Sequence, residues 1–439
     1  MGITSLTKDP SLIDLTVPTM LGQEEFRQLG YYLIDRVARH LYQVRLRSPY
    51  RPVSEKTREA LELLPLPDNG VTAEEIVAFF EERIQPYPTF GTGHPRGFGW
   101  IAGGPDPMAV LGSLLAAALN PNCIGGDQSA TYLDLAVLRW LKELVDFPTM
   151  GSAGLLLSGG TQATLVCLMA ARHAAAVAAG WNPRTEGLQR YPTPLVLYAS
   201  EQTHHCVAGA VEVLGLGQHL LRSIASTDDF QLDLAALHAA VRRDREDDLQ
   251  PFCVVANAGT TNTGAIDPLA AIADFCEREG LWFHVDGSYG AFGRLDPRIA
   301  SRYCGMERAD SLTLDPHKWL SVPMSAAAPW CGTGSSSWRP SSFPRPTICA
   351  KRSGRSALPT IACNSPGGSV PSSSGWRSWL PVVLAWWHWS VDTTPWHGAW
   401  LNCLTILQIS SAWLPWNSPP CVFVLFLRGY AAMTPRWMP

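Results

Sequence analysis

The stretch "SLTLDPHKWLSVP", residues 311–323, decides how this chain is read. A short apolar run ends at Asp315, and Lys318 follows at once between His317 and Trp319. A lysine just past the end of a strand has two readings. Its amine snorkels to the surface, or it is partly buried, in which case its pKa falls and it becomes a nucleophile.

Upstream, the text alternates short β-rich runs with amphipathic helical ones. "GLLLS" (154–158), "LVLYAS" (195–200), "FCVVANA" (252–258), "LWFHVD" (281–286) and "SLTL" (311–314) read as strands. Helical runs lie between them, at 161–178 and 267–279. For the second, Asp267 is the expected N-cap, Pro268 the first helical residue and Gly280 the stop. The pattern predicts an α/β fold with a largely parallel sheet, whose ligands sit at the carboxyl ends of the strands. Two further helices are expected at 23–46 and 73–84.

Three other polar clusters fall at strand ends. "SGGTQAT" (158–164) joins a strand to a helix through two glycines, and the helix start offers N–H groups and a positive dipole end to an anion. It has neither P-loop nor dinucleotide spacing, and Gly-Gly at such a turn is often structural. In "SEQTHHCVAGA" (200–210), His204 and His205 are adjacent and cannot point the same way, which argues against a shared metal ligand set. Asp286 closes an apolar strand, where an acid is costly to bury without a positive partner; the alternative is a cap for the turn that follows.

Together these clusters name one chemistry. An anion cradle, a ring able to stack, a buried acid and a lysine 32 residues beyond it are the parts that hold pyridoxal phosphate. Its phosphate needs the helix start, its aldehyde the lysine, and its ring nitrogen the acid. The blocks "SGGTQAT", "GTTNTGAIDP" (259–268), "HVDGSYGAF" (284–292) and "DPHKWLSVP" resemble, in order and spacing, the group II pyridoxal-phosphate decarboxylases. That family includes the aromatic-L-amino-acid, tyrosine and glutamate decarboxylases. The likeness runs through "HPRGFGWIAGGPDPMAVLGSLLAAALN" (94–120), covers roughly residues 20–323, and stops there.

The resemblance implies a type I pyridoxal-phosphate transferase-like large domain over residues 91–323, an N-terminal helical segment over 1–90 that wraps a second subunit, and a homodimer. It implies Lys318 as the Schiff-base lysine, Asp286 as the pyridinium partner and His204 as the stacked imidazole. Gly160, Thr161, Thr261, Ser288, Asp315 and His317 complete the implied cofactor set, and Trp100 and Ile101 fall where the family lines its substrate pocket. The implied reaction is decarboxylation of an L-amino acid to amine and carbon dioxide. Another pyridoxal-phosphate reaction, such as transamination or carbon–carbon lysis, uses the same anchors, and an inactive pseudoenzyme is the third reading. Two departures stand out. Asp315 replaces an asparagine of the animal aromatic enzymes near the phosphate, and "QSATYLDL" (128–135) is less acidic than the family's helix start there.

After Pro323 the chain changes character. The remaining 116 of its 439 residues hold one acid, Asp392, but 12 of the 17 tryptophans. Such a composition is far from that of folded domains, whereas out-of-frame translation of G+C-rich DNA yields tryptophan, arginine, serine and proline with few acids. We read residues 324–439 as a tail out of frame and without a designed core, the alternative being a Trp-rich module. A family member would carry a further strand and a C-terminal domain here.

Bulk properties exclude other classes. The net charge of −4 and pI near 6.3 give no footprint for nucleic acid. The polar start carries no secretory signal, Leu6 breaks the myristoylation pattern, and no run of apolar residues is long enough for a membrane span. Eleven cysteines without a CxxC pair read as reduced, mostly buried thiols of a cytoplasmic protein.

Overall fold

The computed structural model describes residues 21–66, 71–87, 93–99, 101–120, 127–190, 193–323 and 328–331. The strands β1 (Ala153–Gly154), β2 (Leu195–Ser200), β3 (Leu221–Ile224), β4 (Gln250–Asn257), β5 (Trp282–Asp286), β6 (Ser311–Leu314) and β7 (Ala328–Cys331) form one sheet. Its order is β1-β7-β6-β5-β4-β2-β3. The five strands from β2 to β6 run parallel, while β7 is antiparallel to both of its neighbours.

Helices α1 (Gln23–Tyr42), α2 (Glu55–Glu62) and α3 (Ala73–Phe79) precede the sheet, followed by α4 (Pro107–Leu119) and α5 (Ser129–Leu144). Within the sheet region lie α6 (Gly160–Ala178), α7 (Pro183–Glu186), α8 (Cys206–Val213), α9 (Leu234–Glu246), α10 (Leu269–Glu279) and α11 (Pro316–Trp319).

The central strands are apolar on both faces because both faces are covered. Side chains alternate across a strand, so β2 sends Leu195, Leu197 and Ala199 into a cluster with α6 and α8. Val196 and Tyr198 enter the opposite cluster, with residues of α5, α9 and α10. Along β4, Cys253 and Val255 divide from Val254 and Ala256 in the same way. The result is the three-layer α/β architecture that the alternating pattern predicts.

Three expectations change. "GLLLS" is not a parallel strand: Ala153 and Gly154 pair antiparallel to β7, and Leu157 makes only a single bridge. The 23–46 helix ends at Tyr42 and continues as a 3-10 turn, and the 73–84 helix closes in a π turn from Phe80. Asp267 does not cap α10. Its buried carboxylate instead accepts the N–H groups of Leu232 at 2.7 Å and Asn257 at 2.6 Å, so it ties β4 to the loop before α9. Gly280 does stop α10 in the left-handed conformation, at φ 66°.

Beyond Pro323 the described residues are Ala328–Cys331. Ala328–Cys331, inside the stretch read from composition as out of frame, pairs with β6 from Leu314↔Ala328 to Ser311↔Cys331. Strand pairing uses backbone groups, which composition does not report. The rest of the tail lies outside the described residues.

Among the described residues no helix is long and apolar enough to cross a membrane, and no cluster of three or more His, Cys, Asp or Glu residues is placed to hold a metal ion. Of the described cysteines, Cys167, Cys206, Cys253 and Cys276 are buried free thiols and Cys304 is exposed.

Candidate active site

The carboxyl ends of the parallel strands converge on a cavity of about 250 Å³. Its lining includes Gly160, Thr161, His204, Thr261, Asp286, Ser288, Asp315, His317 and Lys318. These are all nine residues expected to bind the cofactor, brought together from five separate segments. Ile101 is half-buried and does not line the cavity. Trp100 lies outside the described residues. A larger hollow of about 850 Å³ between α9 and α10 is lined by residues such as His238, Arg242 and Glu279, none of which belongs to this set.

Lys318 is positioned by the break after β6. Pro316 opens the single turn of α11, and Lys318 N–H donates to the Asp315 carbonyl at 3.0 Å. Residues three apart share a helix face, so Nζ of Lys318 reaches Oδ2 of Asp315 at 2.8 Å. The expected fall in amine pKa is reversed here. Burial pulls the amine down, but the Asp315 carboxylate, with Asp286 further off, holds it above the ordinary lysine range. A partly buried lysine beside an acid is an ammonium, and burial alone does not predict its state.

Asp286 ends β5 and is well satisfied. Its Oδ1 accepts the N–H of Ser288 at 3.0 Å and the hydroxyl of Thr313 at 3.2 Å, and that hydroxyl accepts from Ser288 Oγ at 3.2 Å. Burial alone would raise this carboxyl. The Ser288 hydrogen bond, then Lys318 and His284, hold it below the usual carboxylate range. A buried carboxylate kept ionised is what a protonated ring nitrogen requires of its partner.

Asp315 is buried just as deeply, at 2% exposure, but is satisfied on one side only. Oδ2 meets Lys318, with His317 Nε2 at 3.7 Å, while Oδ1 is buried with no hydrogen-bond partner. An unsatisfied buried oxygen costs about 1–3 kcal/mol. The Lys318 ion pair and the positive end of α6 offset it, the latter by ~0.3–2 kcal/mol.

The start of α6 is shaped for an anion. Gly159 supplies no side-chain cap. A Cβ on Gly160 would lie 2.8 Å from Asp315 Oδ2 and 3.1 Å from Ser288 Oγ, so only glycine fits. Opposite it, the turn after β4 bends back through Thr260 N–H to the Ala265 carbonyl, 2.8 Å, and carries Thr261 to the cavity. Gly259 takes φ 101° there, and a Cβ on it would come within 3.0 Å of Gly290 Cα.

His204 accepts the Cys206 N–H on Nδ1 at 3.2 Å, which leaves its proton on Nε2. Burial, then the neighbouring His205, hold the ring below the ordinary histidine range, so it is a neutral stacking surface. Its neighbour Cys206 also lines the cavity, its thiol pushed up to about 12 by burial.

Six lining residues were outside the expected set: Ser158, Gly159, Cys206, Asn257, Gly259 and Tyr289. Asn257 was legible as the last residue of β4, the counterpart of Asp286 on β5. Tyr289 sits edge-on to Trp319 with ring centroids 5.7 Å apart, a contact no local pattern announces. Thr313, behind Asp286, was hidden inside a strand.

These residues fit pyridoxal phosphate: a glycine-only anion cradle, an ionised buried acid, a neutral imidazole and an amine face one space.

Comparison with known proteins agrees. The pyridoxal-dependent decarboxylase conserved domain matches residues 58–333. The aromatic-L-amino-acid decarboxylase of Bacillus atrophaeus is 34% identical over 305 residues, which are 69% of this chain and 61% of that protein. The Bos taurus aromatic-L-amino-acid decarboxylase is 32% identical over 324 residues, covering 71% and 65%. Among solved structures, the glutamate decarboxylase domain of the Vibrio parahaemolyticus diaminobutyrate–pyruvate transaminase and L-2,4-diaminobutyrate decarboxylase superposes with a TM-score of 0.65 at 28% identity, over 72% of this chain and 68% of that one. Oryza sativa TDC with PLP and tryptamine superposes at 0.66 and 25% identity, over the same shares. The chain thus spans between three-fifths and two-thirds of the length of the two curated relatives. With its domain match, its relatives and its site in agreement, the chain belongs to the pyridoxal-dependent decarboxylase family.

Proposed function

We propose that this protein is a pyridoxal-phosphate-dependent carboxy-lyase that converts an L-amino acid to its amine and carbon dioxide. The observation that carries the reading is the pairing of a buried, ionised Asp286 with Lys318 across one cavity whose far wall is the glycine-only start of α6. When bound, pyridoxal phosphate supplies an aldehyde for amines and a protonated ring that accepts the electron pair freed as carbon dioxide leaves.

The chain's own residues do the rest. The backbone N–H groups at the start of α6, with Thr161 and with Thr261 from the β4 turn, would hold the phosphate. His204 would offer its neutral ring to the cofactor and exclude water there. Asp286 stays ionised through Ser288 and Thr313, so the ring nitrogen keeps its proton. Lys318 is the amine that would hold the aldehyde, and its Nζ is placed to carry a proton to or from a group bound in the cavity. Aromatic L-amino acids are the proposed substrate class, since the two curated relatives compared above carry that name.

A homodimer is part of the proposal. α1 exposes Phe26 and Tyr31 at 64% each, and α4 exposes Met108, Leu114, Leu115 and Leu119, apolar area that a second copy would cover. The partial coverage of the relatives supports a second reading, in which the chain holds the cofactor without completing decarboxylation. One experiment separates these. The chain is loaded with pyridoxal phosphate, one portion is reduced with borohydride and peptide-mapped before any amino acid is added, and a second portion is incubated with phenylalanine, tyrosine or tryptophan and assayed for products. Equal yields of amine and carbon dioxide with label on Lys318 support the lyase. Label on Lys318 without products supports the second reading, and label on another lysine, or none, overturns both.

A further inference from the structure

We propose that Asp315 is a positioning residue that sets a ceiling on cofactor affinity by opposing the phosphate while holding Lys318 ready. The inference rests on the reading that this cavity takes pyridoxal phosphate. It comes from three facts about one carboxylate. Oδ2 is 2.8 Å from Lys318 Nζ. Oδ1 is buried and has no hydrogen-bond partner. Both oxygens stand 2.8 and 3.1 Å from where a Cβ on Gly160 would lie, at the first turn of a 19-residue helix.

The carboxylate is therefore beside the helix start that would take an anion, while its close ion pair is with the lysine that would take the aldehyde. Apart from Lys318, the groups around it are His317 and the neutral Ser288 hydroxyl. A second anion entering beside Gly160 meets an acceptor oxygen with no hydrogen to share. Like charges at this range, out of water, repel strongly. The same carboxylate keeps Lys318 as an ammonium within reach of the aldehyde. To join that aldehyde the lysine passes one proton to solvent, and one water leaves as the carbon–nitrogen bond forms. Asp315 thus orients the amine and weakens the hold on the phosphate.

The test uses two ligands that share an aldehyde and differ in the phosphate. Equilibrium dialysis measures pyridoxal 5′-phosphate and pyridoxal binding to the full chain, to Asp315→Asn and to Asp315→Ser. The two variants remove the charge at different sizes, so a folding defect in one leaves the other to decide. The quantity read is the ratio of the two affinities, in which effects on Lys318 cancel. The expected result is a ratio at least about tenfold higher in the variants than in the wild type. An unchanged ratio, with both affinities moving together, would overturn the role at the phosphate and leave Asp315 as a lysine partner alone. A lower ratio would overturn it too, since Oδ1 would then be accepting a hydrogen bond from the phosphate. Binding of neither ligand to any of the three proteins would instead overturn the functional reading, and this proposal with it.

Discussion

The Asp286 end of the cavity and the Asp315 end each hold a buried carboxylate at the edge of a parallel strand, and both face Lys318. They differ in what holds each carboxylate. At Asp286, a backbone N–H and a threonine hydroxyl fix Oδ1, and a serine hydroxyl backs the threonine. At Asp315, one oxygen has the lysine and the other has nothing. A satisfied buried charge is a fixed part of the scaffold, whereas a half-satisfied one exchanges partners when a ligand arrives. The first suits a permanent counter-charge for a ring nitrogen. The second suits a residue that hands its lysine over.

The sharpest way to break this contrast is at the fixed end. Asp286→Asn keeps the shape and both acceptor contacts on one oxygen but removes the charge. We expect it to retain cofactor, seen as a bound-ring absorbance, while turnover falls ~100-fold or more. Near-normal turnover in a cofactor-loaded variant would remove Asp286 from its role.

At the other end, Gly160→Ala pushes a methyl to 2.8 Å from Asp315 Oδ2. The carboxylate has little room to move, so the cradle is filled and the Lys318 pair displaced. Affinity for pyridoxal phosphate should drop about tenfold, with thermal stability changing far less, because the methyl projects into the cavity and not into the core. Equal losses of affinity and stability would show instead that Gly160 is needed for folding.

The test furthest from either carboxylate's ligand contacts concerns His284, two residues before Asp286 on the same face of β5. Its Nδ1 lies 2.8 Å from Ser311 Oγ, its Nε2 is buried without a partner, and burial lowers its pKa from 6.5 to about 4. A neutral histidine of this kind contributes stability that is complete above pH 6.5 and lost as pH falls through about 4. The loss is on the order of 3 kcal/mol. His40, also lowered to about 4 by burial, acts the same way. Asp134 and Asp310 act oppositely, since burial raises them to about 7 and about 6 and the fold gains as they protonate. The wild-type profile should therefore be shallow. Against it, His284→Gln should gain relative stability steadily from pH 6.5 to 4 in chemical unfolding. A constant difference across that range would mean His284 is not neutral in the fold.

Much of the site was legible because its residues sit where chain grammar marks them. Asp286, Asp315 and Lys318 lie at or just past the end of an apolar run, and Gly160 opens a helix. Such positions are local, and strand ends in a parallel sheet converge by topology. Thr313 and Tyr289 were not legible, because their roles come from neighbours more than twenty residues away in sequence. Asp267 was misread for the same reason: Asp before Pro is a good local cap, and here the unpaired N–H groups of Leu232 and Asn257 claimed it first.

By itself, then, the order of apolar runs, glycines and charges determined the parallel α/β sheet and the cofactor class, and it marked Lys318 as the candidate amine. Those follow from period, backbone freedom and residue chemistry, all of which are properties of short segments. Only the tertiary structure decided the protonation of Lys318, the unequal satisfaction of the two acids and the pairing of β7 beyond Pro323. Each of these depends on which group comes within about 3 Å of another, the range of a hydrogen bond or close ion pair, and such distances are set by packing and not by any short stretch of sequence.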